Sequence, residues 1–236
     1  MSQDLGLFYG IGVGPGDPEL LTLKAYQMIA QCDVVAFLVN DQGESQSKHI
    51  ARQAMGNSKP DQVQLPIPMP MSKDRRLANV AYDDAALKIS EYLSHGNSVG
   101  FLCEGDPLFY GSFIYLLDRL SKDFTCEVIP GISSVHAASA QLKTPLVQQS
   151  ESLAVLSGRV TDAQTLQALE NFESIVLLKA GERRQDLMRL IREANREKDA
   201  QYIEYISRAN EKIIPFTDLQ DTPGPYFSLF FVTRNG

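Results

Sequence analysis

Along the first half of the 236-residue chain, apolar runs of strand length alternate with amphipathic stretches of helical length. Residues 7–13, 34–39, 63–65, 98–103 and 127–129 read as strands. Residues 20–31, 47–55, 83–94 and 113–120 read as helices, the third with apolar positions at Ala86, Leu87, Ile89 and Leu93. That order is the pattern of β-α-β units building a parallel sheet. The second half repeats it, with strands at 152–157, 174–179, 202–206 and 227–233 and helices at 163–171 and 186–197. No helix leads into the last strand, so it is expected to run antiparallel to its neighbours. The expectation is an α/β fold of two α/β/α domains, 1–122 and 123–236, with the hinge between 120 and 150. The stretch Pro66-Ile67-Pro68-Met69-Pro70 reads as an extended loop.

Composition narrows the function classes. Apolar residues make up 44% and charged residues 22%, as in a globular protein with a packed core. Lys and Arg total 22 against 29 Asp and Glu, a net charge of −7, which argues against a nucleic-acid partner. An anionic small substrate stays open, because a few cations in a cleft set the local field. Cys32, Cys103 and Cys126 lack CxxC spacing and sit in apolar runs, so they are expected to be reduced core residues. No ligand-spaced cluster suggests a metal, and no Ser-His-Asp order suggests a hydrolase. The start of the chain has no basic region leading into an apolar segment, and no run has membrane-spanning length. A cytoplasmic protein with no membrane partner is the expectation.

Two glycine turns carry the candidate chemistry. The first, Gly10 to Thr22, follows a strand and precedes a helix, with Gly14-Pro15-Gly16 at its tip and Asp17 and Pro18 placed to cap the helix. It has no Walker lysine and breaks the dinucleotide spacing, and proline removes a donor that a phosphate cradle would use. A phosphate-free ligand such as S-adenosylmethionine suits it better. The second, Glu104-Gly105-Asp106-Pro107, ends a buried strand at the carboxyl edge of the expected sheet, where α/β proteins bind ligands. The Asp106 carboxylate there can hold a ligand amine or hydroxyl.

These turns, with Val-Ile-Pro-Gly-Ile-Ser-Ser at 128–134 and Ile-Val-Leu-Leu-Lys at 175–179, occur together in the order found in the tetrapyrrole methylase family, which the chain resembles over nearly its whole length. Within that family the segments 104–120, 203–211 and 225–229 resemble the branch that methylates carbon 20 of precorrin-2. The resemblance implies S-adenosylmethionine in a cleft between two α/β domains, a tetrapyrrole substrate and a homodimer. Matching the motifs carries over Pro15, Glu104, Gly105, Asp106, Phe109, Ser133, Ser134, Lys179, Ile206, Ser207, Phe227 and Ser228 as cofactor residues. In the branch that methylates uroporphyrinogen III, an aspartate proposed as proton acceptor follows the second strand; Leu38 stands there here, and that branch's lysine has no counterpart near 66–71. A cobalt-bearing analogue of precorrin-2, a later precorrin, a macromolecular substrate and a non-catalytic S-adenosylmethionine-binding regulator remain as alternatives.

Methyl transfer from a sulfonium needs alignment more than covalent help, and the substrate carbon must lose a proton to some acceptor. Tyr110 and Tyr226 are the catalytic candidates, each equally able to be packing aromatics. Among the histidines, His49 reads as a surface residue, His95 as a helix end, and His136 as structural though near the site. A macrocycle with eight carboxylates calls for a cationic rim. Lys73, Arg75 and Arg76, with Asp17, form the expected substrate-binding group, and Arg183 and Arg184 form a second cluster that charge runs at helix ends equally explain.

Overall fold

The computed structural model describes residues 5–70 and 74–234, which fall into two compact units, 1–133 and 134–236. The first unit holds five parallel strands in the order β3-β2-β4-β1-β5: β1 (Phe8–Gly12), β2 (Val34–Val39), β3 (Val63–Pro68), β4 (Val99–Cys103) and β5 (Cys126–Ile129). Strands β1, β4 and most of β2 are buried along their whole length, which is why their sequences are unbroken apolar runs instead of alternating ones. Helices α1 (Leu23–Gln31) and α2 (Gln46–Gly56) pack Ala25, Ile29, Ile50 and Ala54 on one face of the sheet. Helices α3 (Arg75–Ser94) and α4 (Phe113–Leu120) pack Ile89, Leu93, Phe113 and Leu116 on the other.

Because β5 pairs with β1, it belongs to the first unit. The chain divides at 133/134, just after the turn that follows β5.

Helix α3 begins at Arg75, earlier than the apolar spacing suggested, with Asp74 accepting the Arg76 amide at its start. The proline-rich segment is not a loop throughout. Its first half is the edge strand β3, where Val63 N donates to Asp33 O and Met69 N to Val39 O. Odd-numbered amides thus face β2, and Pro66 and Pro68 fall on the outward side, where no amide is needed. Prolines at period two close this edge to further pairing.

The second unit opens with α5 (Ser134–Leu142), which the sequence reading missed because its apolar positions are mostly alanines. Its sheet is mixed, in the order β6-β7-β10-β8-β9: β6 (Leu153–Ser157), β7 (Ser174–Leu178), β8 (Ala200–Glu204), β9 (Lys212–Pro215) and β10 (Ser228–Thr233). Strand β10 is antiparallel to both β7 and β8, as expected for a strand with no preceding helix. Edge strand β9 was missed, its four residues carrying one clear apolar pair. Helices α6 (Asp162–Asn171), entered through a Thr161–Gln164 capping box, and α7 (Arg184–Glu193) cover one face. Helix α5 covers the other with Val135, Ala137 and Ala138.

Candidate active site

In the first unit the chain leaves β1 toward α1 on one face and leaves the adjacent β4 toward α4 on the opposite face. Two neighbouring parallel strands whose connections diverge in this way open a crevice at their carboxyl ends, the place where open α/β sheets bind ligands. Both glycine turns are there. Gly14 and Gly105 exchange backbone hydrogen bonds, Gly105 N to Gly14 O at 2.8 Å and Gly14 N to Gly105 O at 3.3 Å, and Val13 N reaches Cys103 O at 2.8 Å. Both glycines have positive φ, 82° and 68°, a conformation that a side chain would strain.

The loop after β5 closes against the same pair. A Cβ on Gly131 would lie 2.1 Å from Gly105 O, and one on Gly12 would lie 2.5 Å from Gly131 N. Three backbone turns therefore meet at van der Waals contact. Asp106 fastens them, because its Oδ2 accepts from Gly131 N at 3.1 Å while its Oδ1 accepts from Leu108 N at 2.9 Å. The carboxylate is already bound on one side by its own loop and on the other by the β5 loop, and it keeps lone pairs for a ligand. Gly14, Pro15 and Gly16 are buried, Ser133 is 7% exposed, and Phe109 and Tyr110 stand out at 38% and 43% with their rings edge to face.

In the second unit a comparable knot joins the carboxyl ends of β7 and β8 to the segment entering β10. Ala180 N donates to Ser228 O, Tyr205 N to Phe227 O and Gly224 N to Gly181 O. A Cβ on Gly181 would sit 1.9 Å from Pro225 O. Lys179, Tyr205 and Ser207 all take positive φ, so these strands end in sharp turns. The knot has a side-chain anchor. Arg184 is 7% exposed; its Nε donates to Thr222 O at 2.6 Å, its Nη2 to Thr222 Oγ1 at 2.7 Å and its Nη1 to Glu204 Oε1 at 3.4 Å. Glu211 Oε2 accepts from Ser207 N at 2.6 Å.

Each expected site residue among the described ones has a definite place. Glu104, Gly105, Asp106, Phe109, Pro15 and Ser133 meet in the first unit's crevice, with Ser134 as the first residue of α5. Lys179, Ile206, Ser207, Phe227 and Ser228 meet in the second unit's knot, Ser228 Oγ donating to Pro225 O at 2.7 Å. Asp17 does cap, but it caps a 3-10 turn, accepting from Glu19 N, and Thr22 caps α1. Arg75 donates to the Tyr115 hydroxyl at 3.3 Å, and Arg76 pairs with Asp74, so both are in part engaged at the start of α3. Lys73 lies outside the described residues.

The second cationic cluster is corrected. Neither a substrate rim nor a solvated helix end, Arg184 is the buried anchor just described, and Arg183 pairs with Asp162 and donates to Gly158 O and Val160 O. Of the histidines, His49 is exposed, His95 caps α3 with Nδ1 2.7 Å from Glu91 O, and His136 is exposed on α5. Cys32 and Cys103 are buried thiols, and burial pushes the Cys32 thiol up to about 12; Cys126 is only half-buried. Sequence reasoning placed Arg184 only in a charge cluster, and it gave Gly131, Glu204 and Glu211, which lie inside the matched segments, no role of their own.

The residues fit S-adenosylmethionine. The turns at 12–19 and 104–112 contain no Lys or Arg but do contain Glu104 and Asp106, acceptors suited to amine and hydroxyl groups and not to phosphate.

The sequence profile of the Tetrapyrrole (Corrin/Porphyrin) Methylases matches residues 7–221. The precorrin-2 C(20)-methyltransferase of a Sinorhizobium species is 34% identical over 97% of this chain and 95% of its own length. The cobalamin biosynthesis protein CobIJ of Mycobacterium tuberculosis is 34% identical over 95% of this chain, which spans only 45% of that relative. Among solved structures, the uroporphyrin-III C-methyl transferase of Thermus thermophilus, complexed with S-adenyl homocysteine, superposes with a TM-score of 0.67 over 97% of this chain and 98% of its own, at 21% identity. No helix among the described residues is long and apolar enough to cross a membrane.

Proposed function

The chain belongs to the tetrapyrrole (corrin/porphyrin) methylases, and from that premise we propose that it is an S-adenosylmethionine-dependent methyltransferase acting on carbon 20 of precorrin-2. The likeness to a precorrin-2 C(20)-methyltransferase over nearly the full length of both chains carries this reading. The crevice at the β1/β4 switch point, with acids and no cations in its turns, supports the choice of cofactor. The bound cofactor supplies an activated methyl group on a positive sulfur.

The chain's own part is placement. Gly14 and Gly105 bring backbone against the ligand, Glu104 and Asp106 offer acceptors to its amine and hydroxyls, and the buried Pro15 and Ser133 floor the crevice. The second unit's turns at Lys179, Ile206, Ser207, Phe227 and Ser228 are proposed as the remaining cofactor contacts. Tyr110, exposed beside the crevice and held at φ 54°, is the proposed hydrogen-bonding partner for the substrate carbon's departing proton, directly or through water. Tyr226 is the alternative acceptor in the second unit. Asp17, Lys73, Arg75 and Arg76 remain the proposed substrate contacts of the first unit. A homodimer in the cytoplasm completes the reading.

Anaerobic incubation with S-adenosylmethionine and either precorrin-2 or its cobalt analogue should add one methyl group, read by mass and absorption spectrum. Methylation of uroporphyrinogen III with neither of those consumed would overturn the assignment. Asp106→Ala removes two anchoring hydrogen bonds at once and should lower cofactor affinity by at least about tenfold; unchanged affinity by calorimetry would mean that the turn has been misread.

A further inference from the structure

Helix α3 is apolar on two opposite sides. Tyr82, Ala85, Ile89 and Leu93 are buried against the first sheet. At about 100° per residue, Leu77, Val80, Ala81, Asp84, Leu87 and Lys88 all fall within roughly 120° on the other side. Leu77, Val80 and Leu87 are 49%, 57% and 70% exposed there. Leu87, one of the apolar positions that mark α3 in the sequence, is therefore not a core residue. One apolar stripe seats a helix on its core, and the second is left at the surface. The remaining large exposed apolar side chains among the described residues occur singly along the chain, at 5, 23, 63, 147 and 213, or within the turns at 108–110 and 226–227.

The stripe holds a hole and a knob side by side. Between α3 and the end of β3 runs a groove of about 280 Å³, walled by Ile67, Pro68 and Pro70 on one side and by Leu77, Val80 and Ala81 on the other. Asp84 and Lys88 line it further along the helix, and Leu87 projects beside them. The ionic groups of the stripe carry both signs. Asp84 and Lys88, with Glu91 one turn on, make no ion pair with a described side chain, whereas the neighbouring Asp83 is taken by Arg119. Arg75 and Arg76 of the proposed substrate group fall outside the arc, Arg75 donating to Tyr115 and Arg76 pairing with Asp74. Pro66 and Pro68 close the adjoining edge of β3 to strand pairing, so whatever covers this face must do so through side chains.

We propose that this face is the contact between two copies of the chain. Helix α3 crosses its counterpart antiparallel about a twofold axis level with residues 85–87, with each Leu87 seated in the other copy's groove and each Asp84 against the other copy's Lys88. This rests on the homodimer reading above and deepens it by naming the face. A twofold contact joins one patch to itself, so that patch must hold both halves of every fit. The α3 face does so twice, in shape through the groove and Leu87 and in charge through Asp84 and Lys88. A face for an unlike protein has no need to match itself.

Sedimentation velocity of the full chain over a dilution series reads the dimer dissociation constant. Leu87→Lys should raise it at least about thirtyfold, because the change enters a twofold contact twice. Asp84→Lys and Lys88→Asp place like charges opposite each other and should each raise it roughly fivefold or more. An equimolar mixture of those two variants should return to within about threefold of wild type, since each chain then meets the opposite sign. Recovery on mixing also excludes misfolding as the cause of the losses, because neither chain is altered by it. A dimer of wild-type strength in Leu87→Lys, or a mixture no tighter than its components, would overturn the proposal, leaving the homodimer reading intact and the face to an unlike partner. A wild-type chain that is monomeric across the whole series would overturn that reading and the proposal with it.

Discussion

The two units reach the same kind of end, a cluster of turns held in register at one sheet edge, by opposite means. In the first unit the turns are locked by backbone contact: Gly12, Gly14, Gly105 and Gly131 let carbonyls and amides approach where any Cβ would collide or strain. A single carboxylate, Asp106, spans two of the loops. In the second unit the lock is a buried side chain. Arg184 crosses from the start of α7 to the segment before β10 and to the end of β8, and its guanidinium lies 5.3 Å from the Tyr202 ring. Backbone locks are rigid and local, whereas a buried ion pair holds only while both partners are present.

That contrast can be broken most severely in the second unit. Arg184→Met leaves the Glu204 carboxylate buried and unpaired and should cost about 3 kcal/mol, measured as urea unfolding. Adding Glu204→Met should recover much of that loss; a double variant as unstable as the single one would mean that the ion pair is not the lock. In the first unit Gly131→Ala drives a methyl group onto Gly105 O and should cost about 2 kcal/mol, with cofactor affinity falling more sharply than stability. If affinity held, the three-turn contact would be dispensable for the ligand.

The smallest effect tests the far edge of the first sheet. Asp33 there is opposed by burial, yet hydrogen bonds from Lys59 and from the Ser98 amide and hydroxyl hold its carboxyl at about 2. A carboxyl lowered on folding contributes stability above its ordinary range, and that contribution is lost as pH falls from about 4 toward 2. Asp33→Asn should therefore flatten the loss of stability over that interval and leave cofactor affinity at neutral pH unchanged. A pH profile identical to wild type would remove Asp33 from the acid response.

What could be read in advance follows the same division. Strand β2 and helix α4 have the observed bounds that apolar runs of that length predict, because a buried parallel strand needs every position apolar. The turns at 14 and 105 were legible because glycine is the residue that such backbones require. Helix α5 was not, since its alanines give almost no amphipathic signal, and β3 was hidden because prolines mask a strand whose outward amides are unused. Arg183 and Arg184 read as one charge cluster, yet adjacent residues project differently, and only packing set one over Tyr202 and the other toward Asp162.

The sequence by itself determined the α/β class, the β1 and β4 turns and the family, each of which rests on residues adjacent in the chain. Only the tertiary structure decided that β5 belongs to the first unit, that Asp106 ties two loops and that Arg184 is an anchor. Those contacts join residues far apart in the chain, and local pattern carries no information about which distant turns a sheet will bring together.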